Sequence, residues 1–345
     1  MKKPYLIAEI GVNFYDTARV ENISLLEAAK KYILAAKKSG ADAAKFQSYK
    51  ASTIVSKKSP AYWDITKEPT KTQYGLFEKL DSFNREDYQV LSDYCRQVGI
   101  DFMSTPFDMV SADYLDGMVN IYKISSSDLT NLPFIRHIAK KGKPIYLSVG
   151  ASYISEIEEA VRVMRGEGCN DICLLHCILS YPTQNEDANL NMIKTLKRLF
   201  PELKIGYSDH TLPDPTMTIL TTAYLYGAEV IEKHFTLDKT LTGNDHYHAG
   251  DPADFSRAAA NFNTIMEVSG SGEKTVLPCE NIPRREARRS LVLTRNMKKG
   301  DIISVDDIMA KRPGTGITPK YTDIIIGREM RQDAAEDSVL TWEMI

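Results

Sequence analysis

Eight short apolar runs, most of them followed by a helical pattern, constrain this chain more than any other feature. They are Leu6–Ile10, Ala43–Phe46, Ile100–Ser104, Ile121–Ile124, Pro144–Ser148, Ile172–His176, Lys204–Tyr207 and Glu229–Lys233. Between the fifth and sixth, Ile157, Ala160, Val161 and Met164 stand at i, i+3, i+4 and i+7 behind Ser155, a candidate N-cap. Eight strand–helix units with short apolar strands predict a parallel closed (β/α)8 barrel of the α/β class.

Such a barrel takes about 250 residues, and the chain has 345. The pattern changes after about residue 270, where Ser269-Gly270-Ser271-Gly272-Glu273 reads as a hinge and Glu280–Arg289 as a charged connector. Short β runs broken by Gly and Pro follow: Ser290–Leu293, Ile302-Ile303 and Lys311–Ile317. The expected organisation is a barrel over 1–270, a linker over 271–287 and a small β-rich module over 288–345. The stretch Tyr49–Glu86, long for a connection and rich in Lys, Ser, Pro and aromatics, is expected to cover the barrel mouth as a substrate lid.

A net charge of −3 makes no case for nucleic acid or an anionic membrane as partner. No apolar run approaches the roughly 20 residues of a spanning helix. Met1–Tyr5 leads directly into a strand without the apolar stretch of a secretion signal, so a cytoplasmic location is expected. Cys169, Cys173 and Cys177 are spaced four apart, but on a strand that spacing spans about 13 Å. Buried reduced thiols are the expectation, and the odd total of five argues against a disulfide framework.

Barrels of this type place their chemistry at the carboxyl ends of the strands. Two of those ends present His210, in Ser208-Asp209-His210-Thr211, and His234, in Glu232-Lys233-His234-Phe235-Thr236. Two imidazoles converging on one point suit a divalent cation with open positions for water and substrate. Other strand ends supply Glu9, Lys45, Gln47, Thr105, Lys123, Ser126, Ser148 and Tyr181. Two lysines inside apolar barrel strands are costly to bury without anions, and with the hydroxyls they suit a phosphate or carboxylate. His246 and His248 follow Asp245 in a polar loop and read as solvated, outside the metal set. His137 and His176 read as structural.

The chain resembles the sialic acid (N-acylneuraminate or nonulosonate) synthase family. The matching pieces are Ala8–Asn13, Ala44–Gln47, Phe102–Phe107, Tyr122–Ser126, Lys143–Ser148, Leu174–Cys177, Tyr181–Thr183, Gly206–Thr211 and Glu232–Thr236. Lys311-Arg312-Pro313-Gly314-Thr315-Gly316 matches that family's C-terminal antifreeze-like (SAF) domain. The resemblance implies condensation of phosphoenolpyruvate with an N-acetylated amino sugar, either N-acetylmannosamine or a 2,4-diacetamido-6-deoxy hexose, with loss of phosphate. By the same resemblance His210 and His234 hold the ion, of the Mn2+ type with Mg2+ or Co2+ as other candidates, beside Glu9 as acid/base or water-orienting group. Lys45, Ser208 and Ser148 bind phosphate; Lys123, Ser126 and Thr105 hold the carboxylate. Gln47, Tyr181 and Asp245 face the sugar, and Arg312 arrives from the second subunit of a domain-swapped homodimer.

Three places depart from the family pattern. Phe14-Tyr15-Asp16 stands where His and Gly often follow, Leu179 replaces a sugar-binding Asn, and Ser148-Val149-Gly150-Ala151 replaces Ser-Thr-Gly-Met. Leu179 would favour a less polar substituent on the acceptor, and Phe14 is counted among the sugar-facing changes. The competing readings are a 3-deoxy-octulosonate 8-phosphate or heptulosonate synthase, which would use a phosphorylated acceptor, and an inactive sugar-binding barrel, which would release no phosphate.

Overall fold

The computed structural model describes residues 2–66, 68–243 and 245–345, and the chain divides into two units, Met1–Gly270 and Ser271–Ile345. The first holds eight parallel strands: β1 (Tyr5–Gly11), β2 (Ala43–Ser48), β3 (Asp101–Pro106), β4 (Tyr122–Ile124), β5 (Ile145–Ser148), β6 (Ile172–His176), β7 (Lys204–Asp209) and β8 (Val230–His234). Their order is β3-β2-β1-β8-β7-β6-β5-β4, and β3 lies against β4, so the sheet curls into a barrel. All eight apolar runs are strands within one or two residues of expectation.

The connecting helices start where local chemistry satisfies their free N–H groups. Ser24 accepts from the Glu27 amide and Glu27 reaches back to Ser24, opening the helix Leu25–Lys38. Asn84 and Asp87 do the same for Arg85–Val98, which ends at Gly99 in the left-handed region (φ 77°). Asp251 with Asp254, followed by Pro252, opens Pro252–Ser269. The apolar faces of these helices pack on outward strand residues such as Leu6, Ala8, Ile10, Phe46 and Phe102, forming the main core.

Because strand side chains alternate, residues two apart point into the same space. Inside the barrel, Ile7, Ala43, Met103, Tyr146, Cys173, Leu175 and Val230 form a dry plug. One step further along the same strands stand Glu9, Lys45, Thr105, Ser148, Cys177 and Glu232, all facing a cavity. The barrel therefore changes from apolar to charged within a single repeat of about 7 Å.

Residues Ser271–Ile345 form a separate β-rich unit around the antiparallel pair β9 (Ser290–Leu293) and β10 (Ile308–Lys311). Its core includes Leu291, Leu293, Met297, Ile303, Ile317, Ile325 and Leu340. A Cβ at Gly316 would strike the Leu340 carbonyl and stand 2.5 Å from Val339 Cγ1, so only glycine fits. The charged connector proves partly helical, over Asn281–Ala287, and the Arg285 carbonyl accepts from the Gly314 amide at 2.7 Å. Among the described residues no helix is long and apolar enough to cross a membrane.

Gly206 sits on β7 between β6 and β8, where a Cβ would collide with Leu175 Cδ2 and lie 2.6 Å from the Val230 carbonyl. Gly206→Ala should destabilise the barrel by about 1–3 kcal/mol or more through overpacking, read as a lowered denaturant midpoint.

Candidate active site

At the carboxyl end of the barrel lies a cavity of about 1020 Å3. Every barrel residue named from sequence lines it: Glu9, Lys45, Gln47, Thr105, Lys123, Ser126, Ser148, Tyr181, Ser208, His210, His234 and Asp245. Arg312 belongs to the second unit and is exposed. The Tyr49–Glu86 stretch contributes Tyr49, Tyr62, Trp63, Leu76 and Phe77 to the cavity wall. Its short helices, Ala51–Ile54 and Gln73–Lys79, are held by Tyr49 packing edge-on against Phe77, ring centres 5.3 Å apart.

Two buried lysines dominate one side of this cavity. Lys45 Nζ stands 2.5 Å from Glu9 Oε2 and 3.6 Å from Glu232 Oε2, and donates to Thr105 Oγ1 at 3.0 Å. Lys123 Nζ lies 3.2 Å from Glu232 Oε1, which also accepts from Ser208 Oγ at 3.0 Å. Burial works against charge on both ammonium groups. At Lys45 the carboxylates of Glu232 and Glu9 outweigh it and raise the pKa, whereas at Lys123 burial prevails and lowers it. Burial also raises Glu9. It would raise Glu232 as well, but Lys123 and Lys45 flank that carboxyl and hold it below the usual range. Two carboxyls driven apart in this way suit different roles, one as fixed counter-charge and one as proton carrier. Ser148 Oγ is buried with no hydrogen-bond partner among the described residues.

Sequence reasoning gave Glu232 no role. The signal was present: Glu232 is two residues before His234 on β8, so an inward His234 entails an inward Glu232.

On the opposite side the rings of His210 and His234 are 5.5 Å apart, and Tyr181 packs 4.2 Å from His210. His210 Nδ1 donates to the Ile178 carbonyl at 2.7 Å, which leaves Nε2 as the lone-pair nitrogen. Burial pulls the His210 pKa down to about 4 and lowers His234 as well, with His248 and His210 adding to the second shift. Both rings are therefore neutral at pH 7, the form that binds metal. His234 Nδ1 is buried without a hydrogen bond among the described residues, 3.7 Å from Asp245 Oδ2. Among the described residues no group of three or more His, Cys, Asp or Glu is arranged to hold a metal, and His210 and His234 are a pair of neutral imidazoles that could together meet one. Glu9 pairs in register with His234 on the adjacent strand, between the two halves of the cavity.

Two readings need correction. His246 and His248 are not solvated; both are fully buried. His246 is tied to Thr236 Oγ1 at 2.7 Å and to Asp16 Oδ2 at 3.3 Å, while His248 packs 4.9 Å from His234. The loop folds back under the site and so removes both rings from water. Phe14 does not face the sugar side, because it is buried against Phe46 and Phe83. Asp16 lines the cavity instead. Asp209, next to His210 in sequence, pairs with buried Lys233 and accepts from Thr211 and Tyr207, outside the cavity lining. His176 and His137 are structural, bonded to the Ala188 carbonyl and to Asp113.

Removing Glu232 strips both lysines of a shared counter-charge. Glu232→Ala should cost about 3–5 kcal/mol of stability, as for other broken buried pairs, measured as the shift in denaturant midpoint.

Residues 32–274 match the NeuB family and residues 288–345 match the SAF domain. N,N'-diacetyllegionaminic acid synthase of Legionella pneumophila is 38% identical over 348 residues, covering 99% of this chain and 94% of that protein. The synthase of the same name from Campylobacter jejuni is 37% identical over 346 residues, covering 99% of each. The crystal structure of N-acetylneuraminic acid synthetase from Leptospira borgpetersenii in complex with citrate superposes with a TM-score of 0.69 at 31% identity, over 81% of this chain and 90% of that one. With the barrel segment and the β-rich unit matched in order, the chain belongs to the NeuB family of sialic acid and related nonulosonate synthases.

Proposed function

We propose that this protein condenses phosphoenolpyruvate with the open-chain form of an N-acetylated amino sugar, of the 2,4-diacetamido-6-deoxy hexose class, and releases phosphate by C–O cleavage. The observation that supports it most is the cavity itself: two buried lysines ringed by Thr105, Ser126, Ser148 and Ser208, facing two neutral imidazoles across Glu9. The acceptor class draws on the two relatives named for a diacetylated product. It also draws on Leu179, a partly exposed apolar residue on the cavity wall.

In this reading Lys45, Ser208 and Ser148 take the phosphate, while Lys123, Ser126 and Thr105 take the carboxylate. The lysines exchange carboxylate partners for the substrate's anions, so their charge is already in place and needs little reorganisation. His210 and His234 would hold a divalent cation of the Mn2+ type, which when bound supplies Lewis-acid polarisation of an aldehyde oxygen. Gln47, Tyr181 and Asp245 orient the sugar chain, joined by the partner subunit's Arg312 in a domain-swapped dimer. The enol C3 forms the new bond to the aldehyde carbon, and positive charge develops at C2 beside the buried carboxylates. As the aldehyde C=O π bond breaks, its oxygen takes the proton of Glu9, whose carboxyl burial biases toward the protonated form, and water then adds at C2 with its proton passing to the Glu9 carboxylate so formed. The tetrahedral carbon then expels phosphate, breaking the C–O bond while the C2 hydroxyl becomes the keto oxygen and its proton leaves with the phosphate.

Phosphate release from phosphoenolpyruvate, measured on EDTA-stripped protein with and without added Mn2+, tests the reaction. His210→Ala should lower turnover by about 100-fold or more with an unchanged far-UV circular dichroism spectrum. No phosphate release with any acceptor would overturn the reaction.

The acceptor is tested in the same assay. A 2,4-diacetamido-6-deoxy hexose should turn over faster than N-acetylmannosamine, and turnover with N-acetylmannosamine alone would overturn the acceptor assignment.

A further inference from the structure

One aromatic side chain of the cavity wall carries a polar group that neither the packing nor the proposed reaction uses. Lys45, Gln47 and Tyr49 stand at alternate positions along β2 and its continuation, and all three line the cavity. The strand ladder runs on to this point, since the Phe107 amide donates to the Ser48 carbonyl at 3.1 Å. The Tyr49 ring is clamped edge-on between Phe77 and Phe107, whose ring centres are 5.3 and 6.0 Å away. Its hydroxyl is nevertheless buried without a hydrogen-bond partner among the described residues. A phenylalanine would fill the same space without the cost of an unpaired buried hydroxyl, so packing does not account for a tyrosine here. Burial, with Tyr15, Asp81 and Asp245 adding to it, raises the Tyr49 pKa, so the group keeps its proton and serves as a donor.

We propose that Tyr49 is a specificity residue for the acceptor sugar, donating its hydroxyl hydrogen to the carbonyl oxygen of the acetamido group farther from the aldehyde. Phe77 and Phe107 flank the hydroxyl-bearing ring, and Leu76 and Leu80 line the cavity from the same stretch as Phe77. One fixed donor in a largely apolar wall suits a group that joins a methyl to a single strong acceptor. A phosphate or carboxylate finds its cations deeper, because Lys45 stands four residues earlier, about 13 Å along the strand. The same depth decides which acetamido group is meant. The aldehyde carbon is joined to phosphoenolpyruvate at the lysine end, so C4 of the hexose chain lies nearer to Tyr49 than C2 does. A hydroxyl at C4 would place its oxygen two bonds short of where an acetamido carbonyl reaches.

This inference rests on the proposed diacetamido acceptor, and a matched pair of sugars separates the two. Full-length protein with Mn2+ is assayed for phosphate release from phosphoenolpyruvate with a 2,4-diacetamido-6-deoxy hexose and with its 2-acetamido-6-deoxy counterpart, which has a hydroxyl at C4. Tyr49→Phe removes one oxygen and keeps the ring. It should lower kcat/KM for the diacetamido sugar about tenfold, the worth of one good hydrogen bond. The 4-hydroxy sugar and the KM for phosphoenolpyruvate should stay near their wild-type values. The melting temperature should not fall, because the free protein loses no hydrogen bond. A wild type that does not turn over the diacetamido sugar overturns the acceptor reading and this inference with it. If wild type uses that sugar and Tyr49→Phe uses it equally well, loses both sugars alike, or melts at a lower temperature, the Tyr49 role alone is overturned.

Discussion

Two ammonium groups enclosed in a barrel are the constraint around which the upper half of this protein is arranged. Lys45 and Lys123 are almost entirely withdrawn from water, and charge in that setting is tolerated only where opposite charge and hydrogen bonds replace the lost hydration. Glu232 supplies the fixed charge, and Glu9, Thr105 and Ser208 complete the polar contacts. An arrangement of this kind is held apart from the apolar plug by one repeat of the strands. The plug keeps the barrel closed below, and the charged layer makes it receptive above.

The balance of that layer also supports the proposed chemistry. Lysines already compensated by carboxylates can pass from one anion to another without a large change in local field. In the proposed reaction, a substrate carrying both phosphate and carboxylate would meet two preformed cations instead of recruiting mobile surface ones, and preorganisation of this sort is the main source of electrostatic catalysis. Burial divides the two carboxyls: Glu232, flanked by both lysines, is held ionised, while Glu9 is pushed toward protonation. The aromatic residues of the Tyr49–Glu86 stretch close the outer wall and lower the dielectric around these groups.

Where expectation and structure part, long-range packing is the reason. His246 and His248 follow one another at alternate positions in a polar loop, a pattern that ordinarily points to solvent. The loop instead folds under the barrel rim, where Thr236, Asp16 and Asp245 meet the two rings. Phe14 looked like a substitution at the sugar because it follows Asn13 directly. The chain turns into the helix Phe14–Glu21 there, which carries Phe14 into the core against Phe46 and Phe83 and leaves Asp16 at the cavity. Glu232 was overlooked although it shares a strand face with His234, because its role depends on lysines from β2 and β4 that only barrel closure brings to it.

By itself the sequence determined the strand–helix alternation, the positions of all eight strands, the β-rich character of the C-terminal unit and the strand-end residues that line the cavity. These are readable because they are periodic or local: apolar spacing, capping side chains, and residues at the ends of runs. Tertiary structure alone decided which charges meet, that Glu232 sits between two lysines, that Asp245 lies between His234 and His248, and which neighbours of the motifs face the core. The charge pairings depend on groups separated by tens to more than a hundred residues, and no periodicity along one strand records the distance between two side chains across a barrel.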